Sequence, residues 1–127
     1  MLKAIANASV YARAAIEALY KDKCNVIERR EKTDAVTKKT GFEEVPIIEE
    51  YPCRLSFGSV PSTSDGEAAE MVQSVKLFIS PDISIKPGSK IVVTQPGREP
   101  VEYSNSGKPA IYSTHQEIEL KLFERWS

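Results

Sequence analysis

The chain is poor in the residues that carry out chemistry. It has one histidine, His115, two cysteines, Cys24 and Cys53, and one tryptophan, Trp126, in 127 residues. A zinc site needs a cluster of His, Cys or carboxylate ligands, and the two cysteines form no C-x-x-C pair. In a reducing compartment they are expected to be two small buried hydrophobes. A nucleophilic triad needs a mutually oriented set. His115 stands beside Gln116 at the start of the last predicted strand, where a strand-end hydrogen bond is the plainer role. Neither a G-x-x-x-x-G-K-[ST] loop nor a G-x-G-x-x-G turn is present, so no phosphate cradle is encoded. No residue is assigned to catalysis, to a cofactor or to a metal, and the chain is not expected to be an enzyme.

Charge of one sign is also missing. Lys and Arg number 17 against 18 Asp and Glu, for a formal net charge of -1. Nothing global therefore drives the chain to nucleic acid or anionic lipid. No apolar run approaches the roughly 20 residues that span a bilayer. The first residues lack a long apolar stretch and carry Arg13 and Glu17, so they do not read as a signal peptide, and the expected starting compartment is the cytoplasm. Apolar content of 41% and charge of 28% are ordinary for a globular domain.

What the chain does have is alternation. Val75, Leu77 and Ile79 recur at every second position, as do Ile83 and Ile85, Ile91 and Val93, Val101 and Tyr103, and Ile118, Leu120 and Leu122. A period of two puts one side of a strand in a core and the other in water. Turn signals, among them Pro87-Gly88 and Pro96-Gly97, punctuate the pattern about every ten residues, which suits a sandwich or small barrel. The expected fold is mainly β: a small β-barrel or sandwich of about six to seven antiparallel strands, with an N-terminal α-helix and two long loops.

The first 22 residues read as the helix and 23–127 as the β domain, one domain overall. Residues 1–22 are rich in Ala, Leu, Ile, Glu, Lys and Arg, which are good helix formers. Leu2, Ile5, Ser9, Ala12, Ile16, Leu19 and Tyr20 form one stripe. The stripe fits a helix covering the mouth of the β domain and equally one that docks on a neighbouring subunit. Strand candidates follow at Lys23–Arg30 and Tyr51–Phe57. Between them Glu31–Gly41 is polar, a loop or exposed hairpin tip. Phe42–Glu50, interrupted by Pro46, is an edge strand or extended arm. Gly58–Glu70 is long, rich in Ser and Gly and without periodicity, and is the candidate partner-binding loop.

Charged clusters are given solvated roles. Glu43-Glu44, Glu49-Glu50 and the pair Glu117 and Glu119 could suggest general acid–base work, but Glu117 and Glu119 alternate with Ile118 and Leu120 and so are expected on the wet side. Arg29, Arg30, Lys32, Lys38 and Lys39 form a modest basic patch that could face DNA phosphates in a ring. Aromatic interleaving is absent, which argues against an autonomous single-strand binder.

The segments PCRLS (52–56), KLFISPDISIKPGSKI (76–91) and AIYSTHQEIEL (110–120) together resemble the small head-tail connector proteins of tailed phages and prophages of Gram-positive bacteria. These are called head-closure, head-completion or stopper proteins and are often labelled minor capsid proteins. The resemblance spans roughly residues 20 to 126. It implies a small β-barrel with an added helix, assembled in the host cytoplasm as a self-associating ring, commonly of about twelve subunits, at the base of the portal of the virion. The implied partners are a portal or adaptor ring on one side and a tail terminator or tail-tube protein on the other, with no membrane. Lumenal loops, here Glu31–Glu50 or Gly58–Glu70, would contact packaged DNA. The implied function is to close the portal after packaging and to join head to tail. The alternatives are a tail terminator or other tail-completion ring protein, a ligand-binding or enzymatic barrel with a deep pocket at His115, Arg54 and Glu117, and a general nucleic-acid-binding module.

Overall fold

Alternation along the chain becomes strand where a neighbouring strand pairs with it. The computed structural model describes residues 2–61 and 71–126. Helix α1 covers Leu2–Glu17. Seven strands follow among the described residues: β1 Asp22–Thr33, β2 Thr40–Pro61, β3 Met71–Ile79, β4 Lys90–Thr94, β5 Val101–Asn105, β6 Ala110–Ile111 and β7 Gln116–Leu122. Every pairing is antiparallel. The order β3-β2-β1-β4-β5-β7 closes on itself, because β7 also pairs with β3. The result is a ring of strands, with short β6 added to β7 beside β5. Closure removes the exposed edges that an open sheet would present.

The inward positions are those marked by the period of two. Val26, Leu77, Ile79, Ile91, Val93 and Ile118 are buried, with Leu55, Tyr103 and Leu120 beside them. Each fully buried Val, Leu or Ile contributes about 1.5–3 kcal/mol of transfer free energy. Cys24 and Cys53 belong to the same core and are free thiols. The hydrogen bond with Cys24, together with burial, pushes the Cys53 thiol up and holds it protonated.

Four apolar positions depart from the alternation. Ile83 and Ile85 lie in the irregular connection between β3 and β4, although Ile85 still reaches the core. Leu122 is exposed: β7 has by then passed its last pair with β3 and is paired only with Tyr103 of β5. Val101, at the start of β5, is also exposed.

The connection after β3 is held from inside. Buried Gln116 donates its side-chain amide to the carbonyls of Ser80 (2.8 Å) and Ile83 (2.5 Å). Asn105 accepts from the Gly88 amide at 2.8 Å and donates to the Lys86 carbonyl at 3.4 Å. The predicted turns are present. Gly88 (φ 83) and Gly97 (φ 72) occupy the left-handed position after Pro, and Ser89 and Arg98 close back on Lys86 and Gln95. A side chain there would be strained, which is why Gly follows Pro in such turns.

The region expected as a first long loop is instead mostly strand. β1 pairs with β4 only over Lys23–Ile27, and β2 pairs with β3 only over Arg54–Pro61. Beyond these limits Glu28–Thr33 and Thr40–Val45 pair only with each other, as a two-stranded arm that leaves the ring. The hairpin-tip reading of Glu31–Gly41 holds over 34–39, and the extended-arm reading of Phe42–Glu50 holds as far as Val45. Pro46 sits opposite Ile27 at the arm's base, on a stretch of β2 with no strand on its outer edge, where a missing N–H breaks no ladder. The register slips twice here, between Cys24 and Ile27. Glu50 takes a left-handed φ of 49 and its amide donates to Asn25 Oδ1 at 2.6 Å. Such bulges bend a strand. Of the second expected loop, Gly58–Pro61 belongs to β2, and 62–70 lie outside the described residues.

Among the described residues helix α1 has no extensive packing against a strand; Ile16, near its C-terminal end, lines a groove with Arg54 of β2 and Phe78 of β3. Among the stripe positions Ala12 and Leu19 are exposed, Ile16 is half-buried and Tyr20 is buried. The side chains of Leu2, Ile5 and Ser9 lie outside those the structure describes.

Two measurements check this architecture. Gln116→Met should leave two buried carbonyls without donors and lower the unfolding free energy in urea by about 1–3 kcal/mol. A thiol reagent such as Ellman's should titrate neither cysteine in the native protein and both in denaturant, because Cys24 is 1% and Cys53 0% exposed.

Candidate interaction surfaces

Among the described residues the arm, the helix and the C-terminal segment Phe123–Trp126 lie outside the ring. The arm is patterned by the same two-residue period, now with charge in place of apolar side chains. Glu28, Arg30 and Lys32 share one face with Glu43. Arg30 bridges to Glu28 at 2.9 Å and Lys32 to Glu43 at 3.5 Å. On the other face the Arg29 guanidinium lies 3.9 Å from the centre of the Phe42 ring, a cation–π contact. At the tip Asp34 Oδ1 accepts from the amides of Val36 (2.8 Å) and Thr37 (3.2 Å). These backbone donors hold its carboxyl below the usual aspartate range. Lys38 takes a left-handed φ of 57, and Val36 is left 90% exposed.

The basic patch is therefore on the arm, but it is not a cationic surface. Arg30 and Lys32 are paired with carboxylates and Arg29 is over an aromatic ring. Among the described residues, Lys38 and Lys39 at the tip make no ion pair. Charges of both signs alternate along the arm, so its field cancels at distances beyond the Debye length of about 8–10 Å.

At the base of the arm a lysine is enclosed. The Lys90 side chain is only 11% exposed. Its ammonium lies 2.7 Å from Glu44 Oε1 on the arm and 3.4 Å from Glu102 Oε2 on β5. It faces the rings of Phe123 (4.7 Å) and Trp126 (5.3 Å) from the C-terminal segment. Trp126 Nε1 also donates to Glu44 Oε1, at 3.1 Å. The lysine lowers the Glu44 pKa and Trp126 adds to this. Burial opposes the charge on Lys90, yet its two carboxylates leave its pKa raised. Nothing in the sequence pattern marks Lys90 or Trp126, because the three segments meet only in the folded chain.

The helix is held at its C-terminal end. Arg13 bonds Glu17 at 3.2 Å, Asp82 at 2.7 Å and the Ser80 hydroxyl. Asp82, with Arg13 as donor, has its pKa lowered. Val10 (63%) and Tyr11 (75%) stay exposed. An isolated helix of this length is marginal in water.

His115 lies near that junction. A shallow groove of about 220 Å³ is lined by Ile16, Leu19, Tyr20, Arg54, Phe78 and His115. Arg54 and His115 thus share a groove, whereas Glu117 is not in its lining. The imidazole stacks on Tyr112 at 4.8 Å. Its Nδ1 is 3.1 Å from Thr114 Oγ1 and its Nε2 is 3.1 Å from Glu117 Oε2. Glu117 is half-buried between His115 and Lys76 (3.6 Å), not fully solvated as alternation suggested, while Glu119 is exposed. These contacts join near neighbours in sequence at the start of β7, and the His115 carbonyl accepts from the Tyr112 amide at 2.8 Å. The expected strand-end role of His115 is present. Among the described residues no cluster of His, Cys, Asp and Glu could hold a metal ion, and no helix is long and apolar enough to cross a membrane.

Neither a protein-family model nor a curated protein sequence matches the chain. Among solved structures, the phage-like element PBSX protein xkdH from Bacillus subtilis has a similar fold. It has a TM-score of 0.50 and 14% identity, over 79% of this chain and 91% of that one. At that identity the likeness is one of fold.

The helix tether makes a prediction. Arg13→Ala should reduce the helical signal in far-UV circular dichroism and speed proteolysis within α1. The ring's thermal midpoint should move by less than about 4 °C, because an exposed ion pair contributes little to global stability. The Asp82 pKa is lowered in the folded state, so its contribution is present above the unfolded carboxylate pKa and lost as pH falls through the folded value. The helical signal of the unmodified protein should therefore drop on acidification below about pH 4.

Proposed function

We propose that this chain is a structural protein of a tailed-phage or prophage particle. In this reading it acts in the head-tail connector, closing the portal after DNA packaging and joining head to tail. The observation that carries the reading is the fold shared with a protein of a phage-like element. Three segments spread through the chain give it independent support by their resemblance to head-closure proteins.

The physical form suits a part that works by contact. A small ring of strands with an arm and a loosely tethered helix has surfaces to give to neighbours. The assembly would be a ring of copies, which requires a head-to-tail interface in which different patches of the same chain meet. Repetition around the ring multiplies weak contacts. The partners are then a portal or adaptor ring above and tail-side proteins below, and the location is the virion. DNA contact, if made, belongs to the assembled ring, since the charges of a single arm cancel. No turnover of a small molecule is part of this function.

Deletion of the gene from its phage or prophage, followed by induction and electron microscopy, tests the reading. The expected result is heads that package DNA but lose it, together with free tails of normal length. Intact, infectious tailed particles would overturn the proposal. Tails of abnormal length on filled heads would also overturn it, in favour of a tail terminator.

A further inference from the structure

The arm and the C-terminal segment meet at one carboxylate. Glu44 Oε1 accepts from both Lys90 Nζ (2.7 Å) and Trp126 Nε1 (3.1 Å). Elsewhere the two are separated by a cleft of about 400 Å³ lined by Arg29, Phe42, Glu43, Glu44 and Trp126. The segment is anchored at its root, where the Phe123 amide donates to the Glu102 carbonyl at 3.0 Å. Phe123 and Trp126 meet edge to face at 5.1 Å. The arm is bent at its base by the two register slips and the left-handed Glu50.

We propose that Phe123–Trp126 is a strap that sets the angle of the β1–β2 arm, with Glu44 as its latch on Lys90 and Trp126. With the latch closed, the arm is held toward the ring. With it open, the arm swings on its bulged base and the cleft beside Phe42 and Trp126 widens.

Both states are chemically sound. Releasing Glu44 does not orphan the enclosed lysine, because Glu102 Oε2 stays at 3.4 Å and the Phe123 ring still faces the ammonium. An enclosed cation with no carboxylate would forbid the open state. Released Glu44 has a new partner at hand in Arg29, its direct cross-strand neighbour. The Glu44 side chain is half exposed, so water reaches the latch and opening needs no dry charge separation. The rest of the arm is locally paired and moves as a unit. This inference concerns the chain itself and stands or falls independently of the connector reading.

Trp126 is the sole tryptophan, so intrinsic fluorescence reads the strap directly. The arm is read by electron-spin distances between labels at Val36→Cys on the tip and Glu119→Cys on the ring. Cys24 and Cys53 are buried and stay unlabelled in the native protein. The starting protein should give one narrow distance peak. Glu44→Ala should red-shift Trp126 emission toward that of free tryptophan, with loss of the narrow peak to a broad, longer distribution. Truncation after Leu122 should broaden the distances in the same way. Lys32→Ala, on the other face of the arm and outside the cleft lining, should change neither reading. A distance distribution unmoved by both Glu44→Ala and the truncation would overturn the proposal, as would a starting protein whose Trp126 already emits like free tryptophan. Far-UV circular dichroism and thermal unfolding on each variant confirm that the ring is intact.

Discussion

Strand β7 holds the molecule closed. It gives one edge to β3 over Gln116–Leu120 and the other to β6 and β5. Without it, β3 and β5 would each end the sheet with a row of unpaired amides and carbonyls. The inward side of β7 supplies Ile118 and Leu120 to the core. Gln116 at its start reaches past the core to hold the connection that leads from β3 into β4. Closure, core and connection therefore share one short segment. His115 belongs to the same logic. Its ring, its carbonyl and its neighbours Thr114 and Glu117 fasten the entry to that strand.

Outside the closed ring the physics changes. The arm cannot bury an apolar face, because β4 and β3 have already turned away. It is held by its own ladder, by alternating charge and by one cation–π contact. Among the described residues the helix is tied by Arg13 and a few side chains near Tyr20. Contacts of this kind are individually weak and solvent-screened. Elements held so lightly can be reoriented by a neighbour at low cost in free energy. That is the property a part assembled by contact with other subunits requires, and it links the local energetics to the proposed role. Lys90 is the exception among these contacts, since low exposure and two carboxylates make it the firmest tie between an outer element and the ring.

Much of the ring is legible in the order of residues. Leu77 and Ile79, Ile91 and Val93, and Ile118 and Leu120 mark three strands and the side each turns inward, because a strand's side chains alternate whatever it pairs with. Pro87-Gly88 and Pro96-Gly97 mark turns, because Pro restricts one dihedral and Gly alone takes the next without strain. The arm is harder to read. In Glu31–Glu50 polar side chains replace the apolar signal, and pairing between two solvated strands leaves no hydrophobic period. Glu117 was expected in solvent since alternation reports only which face a residue is on. The connection from β6 to β7 sets His115 on one side of it and β3 sets Lys76 on the other.

Order along the chain, by itself, determined the mainly β class, the inward positions, the turn sites and the start of a helix at the N-terminus. It also determined the scarcity of groups able to do chemistry, since composition does not depend on folding. Only the tertiary structure decided that the strands close into a ring, that β1 and β2 outrun it as an arm, and that the C-terminal end of the helix is tied to the connection after β3. It alone brought Glu44, Lys90, Glu102 and Trp126 together. Those four come from distant segments, and no local pattern encodes the distance between side chains whose strands are brought near only by pairing elsewhere.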